Sequence, residues 1–151
     1  RAANPGGLGR AARHDVAGPA TVTLRAAMSE AADRDAIARQ YVTGFRDVFE
    51  IGVARGRAMP GAGRVAIAEA VHLDFLAALP DSHIARKHGL DVAAVVQEEA
   101  RRLGAAVAAA PDRRHELLLA FDGDLKARGL NPGTSADLTV ASLFALALSA
   151  L

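Results

Sequence analysis

GLNPGTSADLTVASL, residues 129–143, is the stretch that divides this chain into helices and the breaks between them. Leu117, Leu118, Phe121 and Leu125 precede it at helical spacing, and Gly129 stands where a helix stop belongs. Asn131, Pro132 and Gly133 then interrupt the backbone pattern. Thr134 or Ser135 offers an N-cap, and an apolar helical pattern restarts at Leu138. Asp137 is thereby expected in the first turn of the most apolar helix. Free N–H groups at a helix start favour anions and ionised acids. Taken alone, complementing the helix dipole accounts for this aspartate.

The same punctuation recurs on the way back toward the N-terminus. Pro111 and Asp112 open the helix that runs to Arg128, and Asp91 is expected to cap a helix through Ala110. The QEEARR run at 97–102 reads as a solvated face with i,i+3 and i,i+4 ion pairs. Residues 64–79 form a helix with Val65, Ala68, Val71, Phe75, Leu76 and Leu79 on its apolar stripe, ended by Pro80. His72 lies beside that stripe and reads as a hydrogen-bonded interior or boundary histidine. A long helix capped by Asp33 is expected to carry Ile37, Tyr41, Phe45, Val48 and Gly52 inward, after a shorter one from Thr21 or Thr23. Residues 1–20 hold Gly6, Gly7 and Gly9 beside Arg10 and Arg13 but lack a Walker A pattern, and read as a Gly-rich opening segment. The expectation is an all-α bundle of about six helices with short Gly/Pro loops, spanning 21–151.

Composition agrees with close-packed helices: 51% of the 151 residues are hydrophobic but only 4% aromatic, so Ala, Leu and Val carry the core. A formal net charge of +1 argues against a nucleic-acid binder. With no cysteine there is neither a disulfide nor a thiolate site, which suits a cytoplasmic protein. The C-terminal apolar run from Leu138 is shorter than the roughly 20 residues needed to span a bilayer, so no membrane partner is expected. The uncapped ends point to a piece of a longer protein.

Residues 81–89, DSHIARKHG, do not read as an ordinary structural element. Asp81 caps a short helix that Gly89 ends, and His83, Arg86 and Lys87 fall at i, i+3 and i+4 on one face. Arg supplies a bidentate fork and Lys a point charge, a combination suited to polyphosphate. A cap and a glycine stop leave His83 and His88 unexplained.

Three segments together resemble the triphosphoribosyl-dephospho-CoA synthase family: GGLGRAARHDV at 6–16, DSHIARKHG at 81–89 and GLNPGTSADLTVASLFA at 129–145. The stretch DRDAIARQYVTGFRDVFEIGVARG at 33–56 is similar to the branch serving malonate decarboxylase rather than citrate lyase. The resemblance runs over the whole chain, read as the C-terminal portion of a longer member whose N-terminal region is expected to help complete the nucleotide site. It implies a cytoplasmic helical transferase that joins ATP to 3′-dephospho-CoA and releases adenine. The product is the precursor of a prosthetic group carried by an acyl carrier protein.

Cleaving the N-glycosidic bond of ATP builds oxocarbenium-like charge that a carboxylate stabilises, and the incoming hydroxyl must lose a proton. Asp81, Asp137 and His83 are the catalytic candidates, with Asp81 and Asp137 also candidates for contact with Mg²⁺. Arg86, Lys87 and His88 are expected on the phosphates, and Asn131, Gly133 and Ser135 present amide, backbone and hydroxyl donors. His14 and Asp15 form a further acid/base pair. Two other readings remain in play, a non-catalytic helical docking module and a metal-dependent nucleotide or phosphate-ester hydrolase.

Overall fold

A computed structural model describes residues 21–149, which form eight α-helices, one π-helix and one 3₁₀ turn, with no strand among the described residues. The all-α expectation holds, with more and shorter helices than the sequence pattern implied. The chain divides into two units at residues 44 and 45. His14 and Asp15 lie outside the described residues.

In the first unit, α1 (Leu24–Ser29) and α2 (Ala36–Thr43) pack on each other. Thr23 Oγ1 accepts from Ala26 N at 3.2 Å, and Asp35 Oδ1 accepts from Ile37 N and Ala38 N at 2.8 and 3.1 Å. The cap of α2 is therefore Asp35 rather than Asp33. This helix also stops well short of Gly52. Gly44 takes a left-handed φ of 69°, as glycine does at a helix end, and Phe45 follows with φ 62°. Phe45 is 40% exposed and not inward.

The second unit opens with the π-helix at Val48–Val53 and α3 (Ala54–Arg57), followed by α4 (Arg64–Ala78). Helix α4 is the spine: it packs against α6 (Leu90–Ala109) and against α8 (Gly133–Leu148). Toward α6, Leu73 and Leu76 join Ile84, Val96, Leu125 and Leu130 in the main apolar cluster. Val65, expected on the stripe, is instead 70% exposed. Toward α8, the bare backbone of Gly52 lets Ser142 approach; Ser142 Oγ donates to Leu138 O at 2.8 Å, and Phe75 closes the contact. A Cβ at Gly52 would overlap Ser142.

Helix α6 begins at Leu90, with Gly89 and not Asp91 in the cap position. Arg102 and Arg101 pair with Glu98, as the charge spacing predicts. Gln97 is nevertheless buried, and its Nε2 joins Arg101 Nε in donating to Ala77 O, at 3.2 and 3.0 Å. Those two side chains satisfy a carbonyl in the last turn of α4 that has no intrahelical partner. A 3₁₀ turn at Pro111–Arg113 leads into α7 (Arg114–Ala127), and Gly129 at φ 68° turns the chain toward α8.

Candidate active site

Pro80 closes α4, and Asp81 starts α5 (Ser82–His88) as a side-chain cap. Asp81 Oδ1 accepts from His83 N and Ile84 N, at 2.9 and 3.1 Å. Its other oxygen does something no local pattern announces. Oδ2 accepts from Ser135 N and Ser135 Oγ, at 2.8 and 2.9 Å, across 54 residues of sequence.

Helix α8 needs that help. It begins at Gly133, not at Thr134 or Ser135, and the residue in its cap position is Pro132, which makes no side-chain cap bond. One buried carboxylate, 1% exposed, thus caps two helices, where both positive helix ends favour its charge. Thr134 adds a second link, its Oγ1 accepting from His83 N at 3.1 Å. A third comes from shape: a Cβ on Gly133 would stand 3.2 Å from His83 Nδ1 and 3.3 Å from its Cγ. The two motifs are interlocked through polar contacts and close packing.

His83 is the residue enclosed by this junction. Arg86 Nη2 lies 3.2 Å from its Nδ1. A guanidinium only donates, so Nδ1 accepts and the proton of the neutral ring sits on Nε2. Nε2 is buried and has no hydrogen-bond partner among the described residues. Unpaired buried donors of this kind mark strain or a functional site.

Arg86, Lys87 and His88 are exposed on α5. Asn131 is exposed ahead of α8, and Ser135 is buried on Asp81. Asp137 lies in the second turn of α8, not the first, so the helix dipole does not account for it. At 3.6 residues per turn it falls about 40° around the helix from Gly133 and about 60° from Thr134, on the face that meets His83. Its side chain is exposed and forms no hydrogen bond or ion pair among the described residues.

The two aspartates therefore differ in what they offer a metal. Asp81 spends its lone pairs on four protein donors. Among the described residues no three His, Cys, Asp or Glu side chains gather as a cage. This donor set fits Mg²⁺ carried in on a polyphosphate, which keeps several waters and needs only one or two carboxylates. Asp137 is the carboxylate available to such an ion.

Next to the junction, α4 and α7 enclose a cavity of about 230 Å³. Its walls are mainly leucines with Phe121 and Pro132, and its polar groups are Glu69, His72, His115 and Asp122. Beside the junction, the field of Asp81 and the Ser135 backbone favour the charged form of His72. Burial nevertheless wins and lowers its pKa below the ordinary 6.5, so the ring is neutral near pH 7. The sequence reading treated His72 as an interior or boundary histidine. The signal for the cavity, Glu69 and His72 three apart on α4, was hidden by the apolar stripe around it.

Cations, an unpaired imidazole N–H and a free carboxylate gathered on two joined helices are equipment for a phosphorylated substrate. The sequence model of the ATP:dephospho-CoA triphosphoribosyl transferase (CitG) family matches residues 1–151, and the chain belongs to that family. Its members are pentosyltransferases that use ATP, with dephospho-CoA as the acceptor. No curated protein and no solved structure matches the chain. Among the described residues no helix is long and apolar enough to cross a membrane.

Proposed function

We propose that this chain carries the site that transfers the triphosphoribosyl group of ATP to the 2′-hydroxyl of 3′-dephospho-CoA. The bond between the ribose C1′ and the adenine nitrogen breaks, the acceptor oxygen bonds to that carbon, and the hydroxyl proton leaves with adenine. All three phosphates stay on the product. The observation carrying this reading is the buried, unpartnered His83 Nε2 at the junction of α5 and α8, with Arg86 against the other ring nitrogen.

In this reading His83 donates through Nε2 to a phosphate oxygen, Arg86 and Lys87 neutralise the rest of the triphosphate, and His88 adds a ring N–H donor. Asp137 supplies negative charge toward the ribose as the glycosidic bond breaks, or to the Mg²⁺ that the triphosphate brings. Asp81 acts through its neighbours: it fixes where α5 and α8 begin, and with them His83, Asn131, Gly133 and Ser135. We assign the product to the prosthetic group of a malonate decarboxylase acyl carrier protein in the cytoplasm, on the likeness of residues 33–56 to that branch.

A docking module remains the second reading, because Val140, Phe144 and Leu148 are exposed at four-residue spacing on α8. That stripe leaves the unpaired His83 Nε2 unexplained. Incubation with ATP, Mg²⁺ and 3′-dephospho-CoA separates the possibilities. The transferase reading expects free adenine by chromatography and no phosphate, and Lys87→Ala raising the KM for ATP about tenfold or more. Phosphate without adenine would overturn it in favour of hydrolysis.

A further inference from the structure

The cavity between α4 and α7 is not accounted for by triphosphate binding. Among its described lining residues there is no lysine or arginine, and its two carboxylates are already ion-paired, Glu69 with Arg114 and Asp122 with Lys126, so no cation is left there to hold a phosphate. At about 230 Å³ it lies below the roughly 300–1,000 Å³ typical for drug-sized ligands, which suits one small ring system and not a nucleotide.

The polar groups say what kind of ring. Glu69 Oε2 is buried and accepts no hydrogen bond, although Arg114 Nη2 lies 2.9 Å away as an ion-pair partner. The arginine supplies charge from the side without a well-directed N–H, and an acceptor is left over. Asp122 offers a second acceptor at the rim. A neutral imidazole carries one donor and one acceptor, so His72 can serve a ring nitrogen or a ring N–H. Leucines and Phe121 present apolar faces for a flat ring. This is the complement of a heteroaromatic ring with an exocyclic amine.

We propose that the α4–α7 cavity binds the purine base of ATP and retains it as the leaving adenine, with Glu69 and Asp122 accepting from the exocyclic amine and His72 meeting a ring nitrogen. The placement rests on the transferase reading. It also agrees with the layout: Pro132 lines the cavity and Gly133 packs on His83, so a base on one side and phosphates on the other would straddle the start of α8.

The test is adenine binding to the protein by calorimetry, read beside adenine release from ATP in the same preparations. Hypoxanthine, which lacks the exocyclic amine, serves as the control ligand. The proposal expects saturable adenine binding, at least about tenfold weaker binding of hypoxanthine, and about tenfold weaker adenine binding in Glu69→Gln. Because Glu69→Gln also disturbs the pair with Arg114, a second variant is needed. Leu119→Trp places a bulky ring at the cavity mouth from a position already 56% exposed, and it should abolish adenine binding in a folded protein. Adenine binding unchanged in Leu119→Trp, or hypoxanthine bound as tightly as adenine, overturns the assignment. If adenine is still released from ATP in that case, the transferase reading stands and only the base pocket is wrong. If no variant releases adenine while adenine binds as described, the transferase reading fails and the pocket remains.

Discussion

Replacing Asp81 tests the joint on which both motifs depend. In Asp81→Ala, α5 loses its N-cap, worth about 0.5–2 kcal/mol, and Ser135 loses two hydrogen bonds to a charged acceptor, each worth about 1.5–3 kcal/mol. The position is 1% exposed, so water replaces these bonds poorly. Allowing for partial relaxation, the loss should be about 3–5 kcal/mol. For a chain of this length it lowers Tm by about 10 °C. Asp81→Asn is the sharper variant. Its oxygen can still cap α5, but its amide then points a donor at the donor Ser135 N, which costs about 1–3 kcal/mol. Ser135→Ala removes only the hydroxyl bond and should cost about 1.5–3 kcal/mol. Urea unfolding followed by far-UV circular dichroism gives these values, with an unchanged m-value marking an effect on the native state. A double-mutant cycle between Asp81 and Ser135 should show coupling of about 1 kcal/mol or more. Asp81→Asn at wild-type stability, or zero coupling, would refute the shared cap.

Three further predictions concern packing and protons. Gly133→Ala gains helix propensity but pushes on the His83 ring, so stability should stay within about 1 kcal/mol while the rate of adenine release falls at least about tenfold. Gly52→Ala drives a Cβ into Ser142 and should destabilise by about 1–3 kcal/mol, measured in the same unfolding assay. For His72 the folded pKa lies below the unfolded 6.5, so the unfolded state binds more protons between the two values. Stability should hold above about pH 6.5 and fall as pH drops from there toward the folded pKa. His72→Gln should flatten that part of the profile of unfolding free energy against pH, and an unchanged slope would assign the effect elsewhere.

Local signals in the sequence located the pieces of the site, and tertiary contacts decided how they join. Asp81 as the cap of α5 and Gly129 as a stop are read directly, because cap chemistry and left-handed backbone act over a few residues. The start of α8 was misplaced because its cap comes from a distant residue, leaving Pro132 in a position where Thr134 or Ser135 looked better. Phe45 was misread for a related reason. The apolar spacing of 37–52 runs on past Gly44, and only the left-handed turn there breaks it. Gln97 looked solvated within a charged run, yet its amide satisfies a carbonyl of α4. The cavity beside α4 was invisible for a deeper reason: apolar periodicity shows which face turns inward, but not where two inward faces fail to meet.

The central claim is that α5 and α8, joined through Asp81, hold the triphosphate of ATP while Asp137 faces the ribose. Product stoichiometry with 3′-dephospho-CoA tests it most directly, comparing the wild-type protein with Asp137→Asn. The account predicts adenine released in equal amount to dephospho-CoA consumed, no free phosphate, and a rate at least about 100-fold lower in Asp137→Asn. Phosphate release, or adenine release unaffected by Asp137→Asn, would contradict it.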